Sequence, residues 1–336
     1  MKIIVPMAGM GKRMRPHTLT IPKPLISVAG KPIVQHLVED ITKVCHEKVD
    51  EIAFIIGDFG KEVEKNLLKI AEDQGARGTI YYQDEPLGTA HAILCAGNSL
   101  TGKVVIAFAD TLFKTEMIAD TANSDGIIWV SKIEDPRMFG VVKLDGNGII
   151  TDFVEKPQTF VSDLAIIGIY YIKDGDNLKK ELQYLVDNDI RDKGEYQLTN
   201  ALENMKSKGK KLSASTVEEW LDCGNKDATV FTNKRVLEIK KDSAVSLPDS
   251  SAIINSVVIQ PCYIGADVKI ENSVVGPHVS IGKGTTIKNS VIKNSIIQSD
   301  SVVTAQCIDN SMIGSFVKLE GKAKEYSMGD YTTENN

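Results

Sequence analysis

The second part of the chain places an aliphatic residue at every fifth or sixth position, and this spacing restricts the possible folds more than any other feature of the sequence. An amphipathic helix repeats about every 3.6 residues and a half-buried strand about every 2, so neither produces such a series. The spacing predicts a hexapeptide β-helix of four coils over residues 254–319, in which each short strand buries one aliphatic side chain. A sandwich of short strands is the alternative. The positions are Ile254, Ile259, Ile264, Ile270, Val275, Ile281, Ile287, Ile292, Ile297, Val303, Ile308, Ile313 and Leu319.

Before about residue 245, apolar runs alternate with segments of helical period. Strands this apolar, separated by helices, predict an α/β domain with a mostly parallel sheet that is covered on both faces. A more antiparallel part follows after residue 126. The predicted strands include residues 3–7, 52–56 and 104–109, and the predicted helices include 32–44 and 61–71.

Length and charge set limits on the kind of protein this is. The chain has 336 residues, enough for two domains. Its 39 basic and 45 acidic residues give a net charge of −6, which argues against general attraction to nucleic acid or to an anionic membrane. The first residues enter a predicted strand directly, unlike a secretion signal, and the five cysteines show no CxxC spacing. We therefore expect a cytoplasmic protein with reduced thiols.

A glycine-rich turn follows the first predicted strand, with the sequence Met-Ala-Gly-Met-Gly-Lys-Arg-Met over residues 7–14. It matches neither a Walker A loop nor the dinucleotide fingerprint, because Arg13 and Met14 stand where those motifs need Ser or Thr and a third glycine. What remains is Gly9-x-Gly11 with Arg13, followed by Lys23 between two prolines. Backbone N–H groups and two cations suit a polyphosphate. The alternative is a surface loop with unrelated basic residues.

Three acidic positions follow predicted strands. Asp110 closes an apolar run, and in an open parallel sheet such a residue faces the ligand crevice. Asp222 follows a second, shorter run. Two carboxylates beside a triphosphate suffice to hold Mg²⁺, although a helix cap or turn is the ordinary use of either one alone. Glu155 and Lys156 form an acid–base pair that suits sugar hydroxyls and a phosphate, with an exposed turn as the alternative.

The order of these motifs resembles that of the sugar-1-phosphate nucleotidylyltransferases, particularly the glucose-1-phosphate thymidylyl- and uridylyltransferases. The resemblance covers roughly residues 1–240, and a hexapeptide domain is a common extension in that family. It implies a Rossmann-like catalytic domain with a mixed, mostly parallel sheet over residues 1–242. A left-handed parallel β-helix would follow over 243–325, and a polar tail over 326–336.

The resemblance also implies a reaction, in which a sugar-1-phosphate and a nucleoside triphosphate give a nucleotide-sugar and pyrophosphate. It assigns Asp110 and Asp222 to Mg²⁺. The resemblance also implies that the triphosphate lies against Ala8, Gly9 and Gly11, and that Arg13 neutralises the pyrophosphate.

On the sugar side it implies that Lys23 bridges the phosphates of the two substrates and that Lys156 binds the sugar phosphate. The sugar itself would be bound by Gly140, Glu155 and Glu195.

Gln83 and Gly88 would read the base. A primary amide has an acceptor and a donor, which match the N3–H and a carbonyl of uracil or thymine, whereas a carboxylate would suit guanine. The sequence therefore favours dTTP or UTP, with glucose-1-phosphate as the expected sugar. It departs from the family at Lys12, where the family usually has Thr, and at Ala109, where it usually has Gly.

Three rival functions stay open at this stage. One is a mannose-1-phosphate guanylyltransferase and another a non-catalytic nucleotide-sugar sensor. The third is a hexapeptide acyltransferase using His278, against which the uninterrupted coil spacing argues. The five histidines, His91 among them, are expected to be structural or exposed. The β-helix is expected to join subunits into a homo-oligomer.

Overall fold

The computed structural model describes residues 1–45, 47–115, 124–240, 250–322 and 324–334. It divides into two compact units, one made of Met1–Ile26 with Lys31–Ala228 and the other of Ser27–Gly30 with Thr229–Asn336. The domain boundary predicted between residues 242 and 243, and the change of period near 245, lie outside the described residues.

The first part of the chain alternates strands and helices, as the sequence predicts. The helices are α1 (Ile33–Val44), α2 (Lys61–Asp73), α3 (Thr89–Cys95), α4 (Gly175–Asp187), α5 (Leu198–Ser207) and α6 (Lys226–Ile239). The strands are β1 (Lys2–Pro6), β2 (Ser27–Val28), β3 (Lys31–Pro32), β4 (Glu51–Ile56), β5 (Arg77–Tyr82), β6 (Val104–Ala107), β7 (Thr111–Lys114), β8 (Gly126–Lys132), β9 (Gly140–Leu144), β10 (Ile150–Glu155), β11 (Leu164–Ile172), β12 (Leu212–Thr216) and β13 (Glu219–Asp222).

A mixed nine-stranded sheet forms the centre of the first unit. Its main path runs β10-β9-β11-β6-β1-β4-β5, and β8 pairs with β11 and β12. The neighbours β6, β1, β4 and β5 are parallel, whereas β11 is antiparallel to β6. The chain leaves β1 toward β4 on one side and reaches β6 on the other, so the sheet changes direction at β1. In such sheets a ligand crevice opens at the carboxyl ends of the strands that flank this point.

Helices α1 to α5 of the first unit each bury one stripe of side chains. In α1 the fully buried side chains include Ile33, Leu37 and Val38, spaced as one face of a helix requires. Every residue of β4 is buried, as expected for a strand that is covered on both sides. The predicted α/β class is confirmed. Among the described residues, no helix combines the length and apolarity that crossing a bilayer requires.

The second unit contains short strands that stack into three parallel sheets. The strands are β14 (Ala252–Ile254), β15 (Val257–Val258), β16 (Cys262–Ile264), β17 (Lys269–Glu271), β18 (Val274–Val275), β19 (Val279–Ile281), β20 (Thr286–Lys288), β21 (Val291–Ile292), β22 (Ile296–Ile297), β23 (Val302–Thr304), β24 (Cys307–Ile308), β25 (Met312–Ile313) and β26 (Lys318–Glu320). Every third strand pairs in register, giving the sheets β14-β17-β20-β23-β26, β15-β18-β21-β24 and β16-β19-β22-β25. This is the predicted left-handed parallel β-helix.

The inward register of the first coil differs from the prediction. Ile254 and Ile259 are 55% and 43% exposed, and Ile253 and Val258 pack against the core instead. The pairing of Ile253 with Ile270 sets this register. Because successive residues of a strand face opposite sides, a shift of one position turns the predicted residue outward.

Repeated Asn-Ser pairs connect the coils. The asparagines at 255, 272 and 289 all have left-handed backbone conformations, with φ between 47° and 48°, which asparagine tolerates better than most residues. The next serine in each coil bridges to its neighbours. Ser290 Oγ donates to the carbonyl of Lys288 at 2.7 Å and accepts from the backbone N–H of Gln306 at 3.1 Å.

Replacing Ser290 by alanine is expected to lower the free energy of unfolding of the β-helix unit by about 1–3 kcal/mol. Ser290 is 3% exposed, so the N–H and carbonyl left behind lose a partner that water does not readily replace. Urea unfolding followed by circular dichroism measures the change. Ser311→Ala is the control, since that hydroxyl lies in a more exposed position and its loss should cost less. Equal losses would contradict the argument.

Candidate active site

The turn after β1 is shaped by a left-handed glycine. Gly11 has φ 56°, and a Cβ there would lie 3.0 Å from Lys23 Cβ and 3.1 Å from Thr18 Cγ2. The Thr18 hydroxyl donates to the carbonyl of Gly11 at 2.9 Å. Residues 22–25 therefore lie directly against the turn. The structure brings Lys23 to the glycine loop, as the sequence predicts.

The two aspartates are brought together by a short antiparallel pair. Strands β7 and β13 align Asp222 with Thr111, the residue after Asp110. The backbone N–H of Cys223 donates to the carbonyl of Asp110 at 2.9 Å. Two carboxylates that are far apart in sequence thus end at the same place.

The ionisation of Asp222 is affected by its burial and by three neighbouring charges. Burial, followed by the negative charge of Asp110, raises the pKa of Asp222. The N–H of Gly224, which donates to Asp222 Oδ1 at 3.0 Å, opposes this effect, as do the charges of Lys23 and Arg13. A carboxylate held in this way gains from a cation. The pair therefore fits a divalent metal ion.

The described residues contain no group of three or more His, Cys, Asp or Glu side chains placed to hold a metal. Two carboxylates are too few for a closed all-protein cage. They suit instead an ion such as Mg²⁺, which is commonly bound through one or two carboxylates, substrate phosphates and water.

Two cations flank the aspartates. Lys23 Nζ lies 2.7 Å from Asp110 Oδ2, and the lysine side chain is only 13% exposed. Arg13 approaches the loop after Asp222, where its Nη2 lies 3.1 Å from the position a Cβ would take on Gly224. A Cβ on Gly224 would also lie 3.0 Å from both carboxylate oxygens of Asp222, so a side chain would crowd this contact.

A second polar cluster forms where β9 meets β10. Gly140 pairs with Glu155, and a Cβ on Gly140 would lie 2.9 Å from Glu155 Oε2. Lys156 has a left-handed backbone, and its Nζ lies 3.5 Å from Glu155 Oε1. The structure thus brings together Lys156, predicted to bind the phosphate of the sugar-1-phosphate, with Glu155 and Gly140, predicted to bind its sugar. Phe139, beside Gly140, packs edge to face on Trp220 of β13 with ring centroids 4.9 Å apart.

The turn between β5 and α3 holds Gln83 by its backbone and its amide. The backbone N–H of Gln83 donates to the carbonyl of Ile56 at 2.8 Å. Its side-chain Nε2 lies 3.3 Å from the carbonyl oxygen of Gly88 and 3.2 Å from His91 Nδ1. Gly88 has φ 111°, and a Cβ there would lie 2.5 Å from the carbonyl of Tyr196, so only glycine fits.

The segment before α5 closes the same region. Gln197 Nε2 donates to Glu195 Oε2 at 3.1 Å. The Thr89 hydroxyl accepts from the backbone N–H of Leu198 at 3.0 Å. A Cβ on Gly88 would lie 2.9 Å from Glu195 Cβ, so Glu195 lies beside the Gly88 turn.

A cavity of about 270 Å³ opens at the carboxyl ends of β1, β5 and β6. Its lining includes the predicted residues Ala8, Gly9, Gly11, Lys23, Gln83, Gly88, Asp110 and Glu195. The other predicted residues, Arg13, Gly140, Glu155, Lys156 and Asp222, are not part of this lining. Of these, Asp222 lies next to the cavity-lining Asp110, whose charge raises its pKa, and Arg13 approaches the loop after Asp222.

Sequence reasoning gave no role to His91 or Thr89. Both lie at the start of α3, and both contact residues of the predicted site. The Gly-Thr-Ala-His sequence at 88–91 contains a hint of these contacts, because residues in the first turn of a helix lie close to the turn that precedes it. Phe108 also lines the cavity, although the sequence pattern predicts only that it belongs to a strand.

The chain is similar to known proteins in family, in sequence and in fold. The model of a family described as nucleotidyl transferase matches residues 2–238. The chain is similar to the "Glucose-1-phosphate thymidylyltransferase" of Streptomyces antibioticus, at 28% identity over 99% of this chain and 98% of that protein. It is also similar to the "Probable mannose-1-phosphate guanylyltransferase 3" of Oryza sativa subsp. japonica, at 29% identity over 94% and 86%. The crystal structure of the nucleoside-diphosphate-sugar pyrophosphorylase from Vibrio cholerae RC9 superposes with a TM-score of 0.61 at 19% identity, covering 69% of this chain and 99% of that one.

Proposed function

This chain belongs to the nucleotidyl transferase family, and from that premise we propose that it transfers a nucleotidyl group from dTTP or UTP to a sugar-1-phosphate, with glucose-1-phosphate as the expected sugar. The products are a nucleotide-sugar and pyrophosphate. The family resemblance seen in the sequence is confirmed. The observation that carries the proposal is the joining of Lys23, Asp110, Asp222 and Arg13 beside the glycine turn.

The reaction needs no enzyme nucleophile. A phosphate oxygen of the sugar-1-phosphate attacks the α-phosphorus, and the bond from that phosphorus to the oxygen bridging to the β-phosphate breaks. Pyrophosphate leaves with the bonding electrons. Such transfers depend chiefly on positioning and charge neutralisation. In the proposal, Lys23 lies between the two substrates' phosphates, Arg13 neutralises the leaving pyrophosphate, and Lys156 holds the sugar phosphate.

Nucleotidyltransferases of this family generally use a divalent metal, and we propose Mg²⁺ held by Asp110 and Asp222. When bound, it would supply charge neutralisation on the phosphates. Burial and the neighbouring charge of Asp110 raise the pKa of Asp222. A bound cation would offset this unfavourable charge, which supports a metal ion at this pair.

The identity of the nucleobase in the triphosphate is less well determined than the type of reaction. The thymidylyltransferase and guanylyltransferase relatives are equally similar to this chain, at 28% and 29% identity. Overall identity therefore does not choose between pyrimidine and guanine, and guanylyl transfer to mannose-1-phosphate remains the second candidate. An amide at Gln83, rather than a carboxylate, supports the pyrimidine.

Pyrophosphate release is the test, measured over dTTP, UTP, GTP, CTP and ATP against glucose-, mannose-, galactose- and N-acetylglucosamine-1-phosphate, with and without Mg²⁺. We expect turnover with dTTP or UTP and glucose-1-phosphate, only when Mg²⁺ is present. Turnover restricted to GTP and mannose-1-phosphate would establish the second candidate. Binding of a nucleotide-sugar with no pyrophosphate from any pair would overturn the enzyme in favour of a sensor. Assembly into a homo-oligomer through the β-helix stays a prediction.

A further inference from the structure

Two side chains and one backbone carbonyl around the β5–α3 turn form a hydrogen-bonding arrangement that neither the family relationship nor the proposed reaction requires. Its centre is the amide of Gln83, which lines the cavity. The amide nitrogen faces two protein atoms at hydrogen-bonding distance, the carbonyl oxygen of Gly88 and Nδ1 of His91.

The chemistry of Gly88 fixes which end of the amide points where. A carbonyl oxygen only accepts, so the atom of Gln83 that lies 3.3 Å from it must be the NH₂ nitrogen rather than the oxygen. The contact with Gly88 therefore assigns the orientation of the glutamine amide.

The same nitrogen then determines the state of His91. An amide NH₂ only donates, so Nδ1 of His91, 3.2 Å away, must be the accepting nitrogen. This contact corresponds to the tautomer of His91 that carries its proton on Nε2. Both hydrogens of the Gln83 amide are used within the protein, and only Oε1 is left to meet a ligand.

We propose that His91 is a positioning residue that, together with the Gly88 carbonyl, locks Gln83 so that it presents an acceptor alone to the base. This proposal rests on the proposed function, because it assumes that Gln83 meets the base of the nucleotide. It also revises the expectation that the glutamine supplies both an acceptor and a donor, and with it the support that the amide gives to a pyrimidine over guanine.

The lock selects for a base with a ring imino N–H. Uracil and thymine carry N3–H, which Oε1 accepts. Cytosine has a lone pair at N3, which would face the amide oxygen. Turning the amide to help cytosine would place its oxygen against the Gly88 carbonyl, which only accepts, and would require His91 to move its proton from Nε2 to Nδ1. The arrangement therefore rejects CTP twice, by the contact it makes and by the alternative it forbids.

Guanine also carries a ring imino N–H, at N1. The ratio of UTP or dTTP binding to CTP binding is thus the informative quantity, and the ratio to GTP is not. We would measure dissociation constants by calorimetry with the full-length protein. We would also measure kcat and KM for pyrophosphate release.

The variant His91→Phe removes the accepting nitrogen and keeps a flat ring on α3. We expect it to lower the ratio of UTP (or dTTP) to CTP affinity about tenfold, the value of one hydrogen bond, with KM changing and kcat staying within about twofold. His91→Asn places an oxygen acceptor where Nδ1 was, and should restore the ratio to within about threefold of the original. The same change at a distant histidine, His278→Phe in the β-helix unit, should leave the ratio unaltered.

Nitrogen-15 NMR of the histidine side chains gives a readout that does not depend on activity. The signals lost in His91→Phe identify His91, and they should show the proton on Nε2 and a lone pair on Nδ1. A proton on Nδ1 would overturn the proposal. So would a nucleotide ratio within twofold of the original in a folded His91→Phe protein.

The outcomes also separate this inference from the proposed function. Selective binding of UTP or dTTP without any pyrophosphate release would overturn the enzyme and support the lock. Turnover that is equally fast with CTP would support the enzyme and overturn the lock. If neither UTP nor dTTP bound at all, both proposals would fail.

Discussion

Replacing Asp222 by asparagine is expected to reduce kcat for pyrophosphate release at least about a hundredfold without lowering the melting temperature of the metal-free protein. The change removes one of two carboxylates proposed to hold Mg²⁺, and asparagine Oδ1 can still accept from the N–H of Gly224. Steady-state kinetics over a range of Mg²⁺ concentrations and thermal unfolding measure the two effects.

The stability half of this prediction follows from the sign of the pKa shift. The pKa of Asp222 is raised, first by burial and then by the charge of Asp110. A raised pKa means that the folded state disfavours the ionised form, so above that pKa the carboxylate weakens folding when no cation is bound. A neutral amide removes this penalty. The melting temperature should stay the same or rise, and added Mg²⁺ should stabilise the original protein more than the variant.

Glu219→Gln is the matched control, since Glu219 begins the strand β13 that ends at Asp222. It should leave turnover within about twofold. A folded Asp222→Asn protein with at least a tenth of the original turnover would contradict the assignment. An equal loss in both variants would point to a disturbed strand pair rather than to a lost metal ligand.

An element of this fold is predictable from the sequence when its residue pattern is specific to one kind of secondary structure. The central strands were predictable because strands covered on both faces are continuous apolar runs, as in β4. The β-helix was predictable because its repeat of five or six residues matches no other regular structure. Its first coil was misregistered because Ile253 and Ile254 are both aliphatic. Only the pairing with Ile270 in the next coil decides between them.

The site shows the same division. Asp110 could be placed at the mouth of the sheet from the strand that precedes it. That Asp222 joins Asp110 is implied by the family resemblance alone, because local pattern does not show that β7 pairs with β13, two four-residue strands with no distinct periodicity. The contact of His91 with Gln83 is not predicted from the sequence, because it depends on how the turn after β5 packs against the first turn of α3. The residue pattern shows where a residue lies within a helix or strand, whereas the contacts between short strands and turns are determined by tertiary packing.

Replacing Arg13 by methionine is expected to lower kcat by about a hundredfold to a thousandfold, because the charge of the departing pyrophosphate would lose its proposed counterion. Lys12→Met provides a closely matched control, since it removes the same charge from the neighbouring residue. Both side chains are exposed, so neither change should alter the melting temperature by more than a degree or two. We expect Lys12→Met to stay within about threefold of the original turnover.

The contrast between these two variants follows from where the arginine lies. Arg13 Nη2 approaches the position of a Cβ on Gly224, and its charge acts to lower the pKa of Asp222. It is therefore directed at the aspartate pair. Arg13→Lys should recover only part of the lost turnover, since a point charge on a flexible stem lacks the two-pronged donor geometry that suits phosphate oxygens. If Lys12→Met caused the larger loss, the cation that meets the leaving group would be Lys12, and the unusual lysine at this position would replace the arginine in the mechanism.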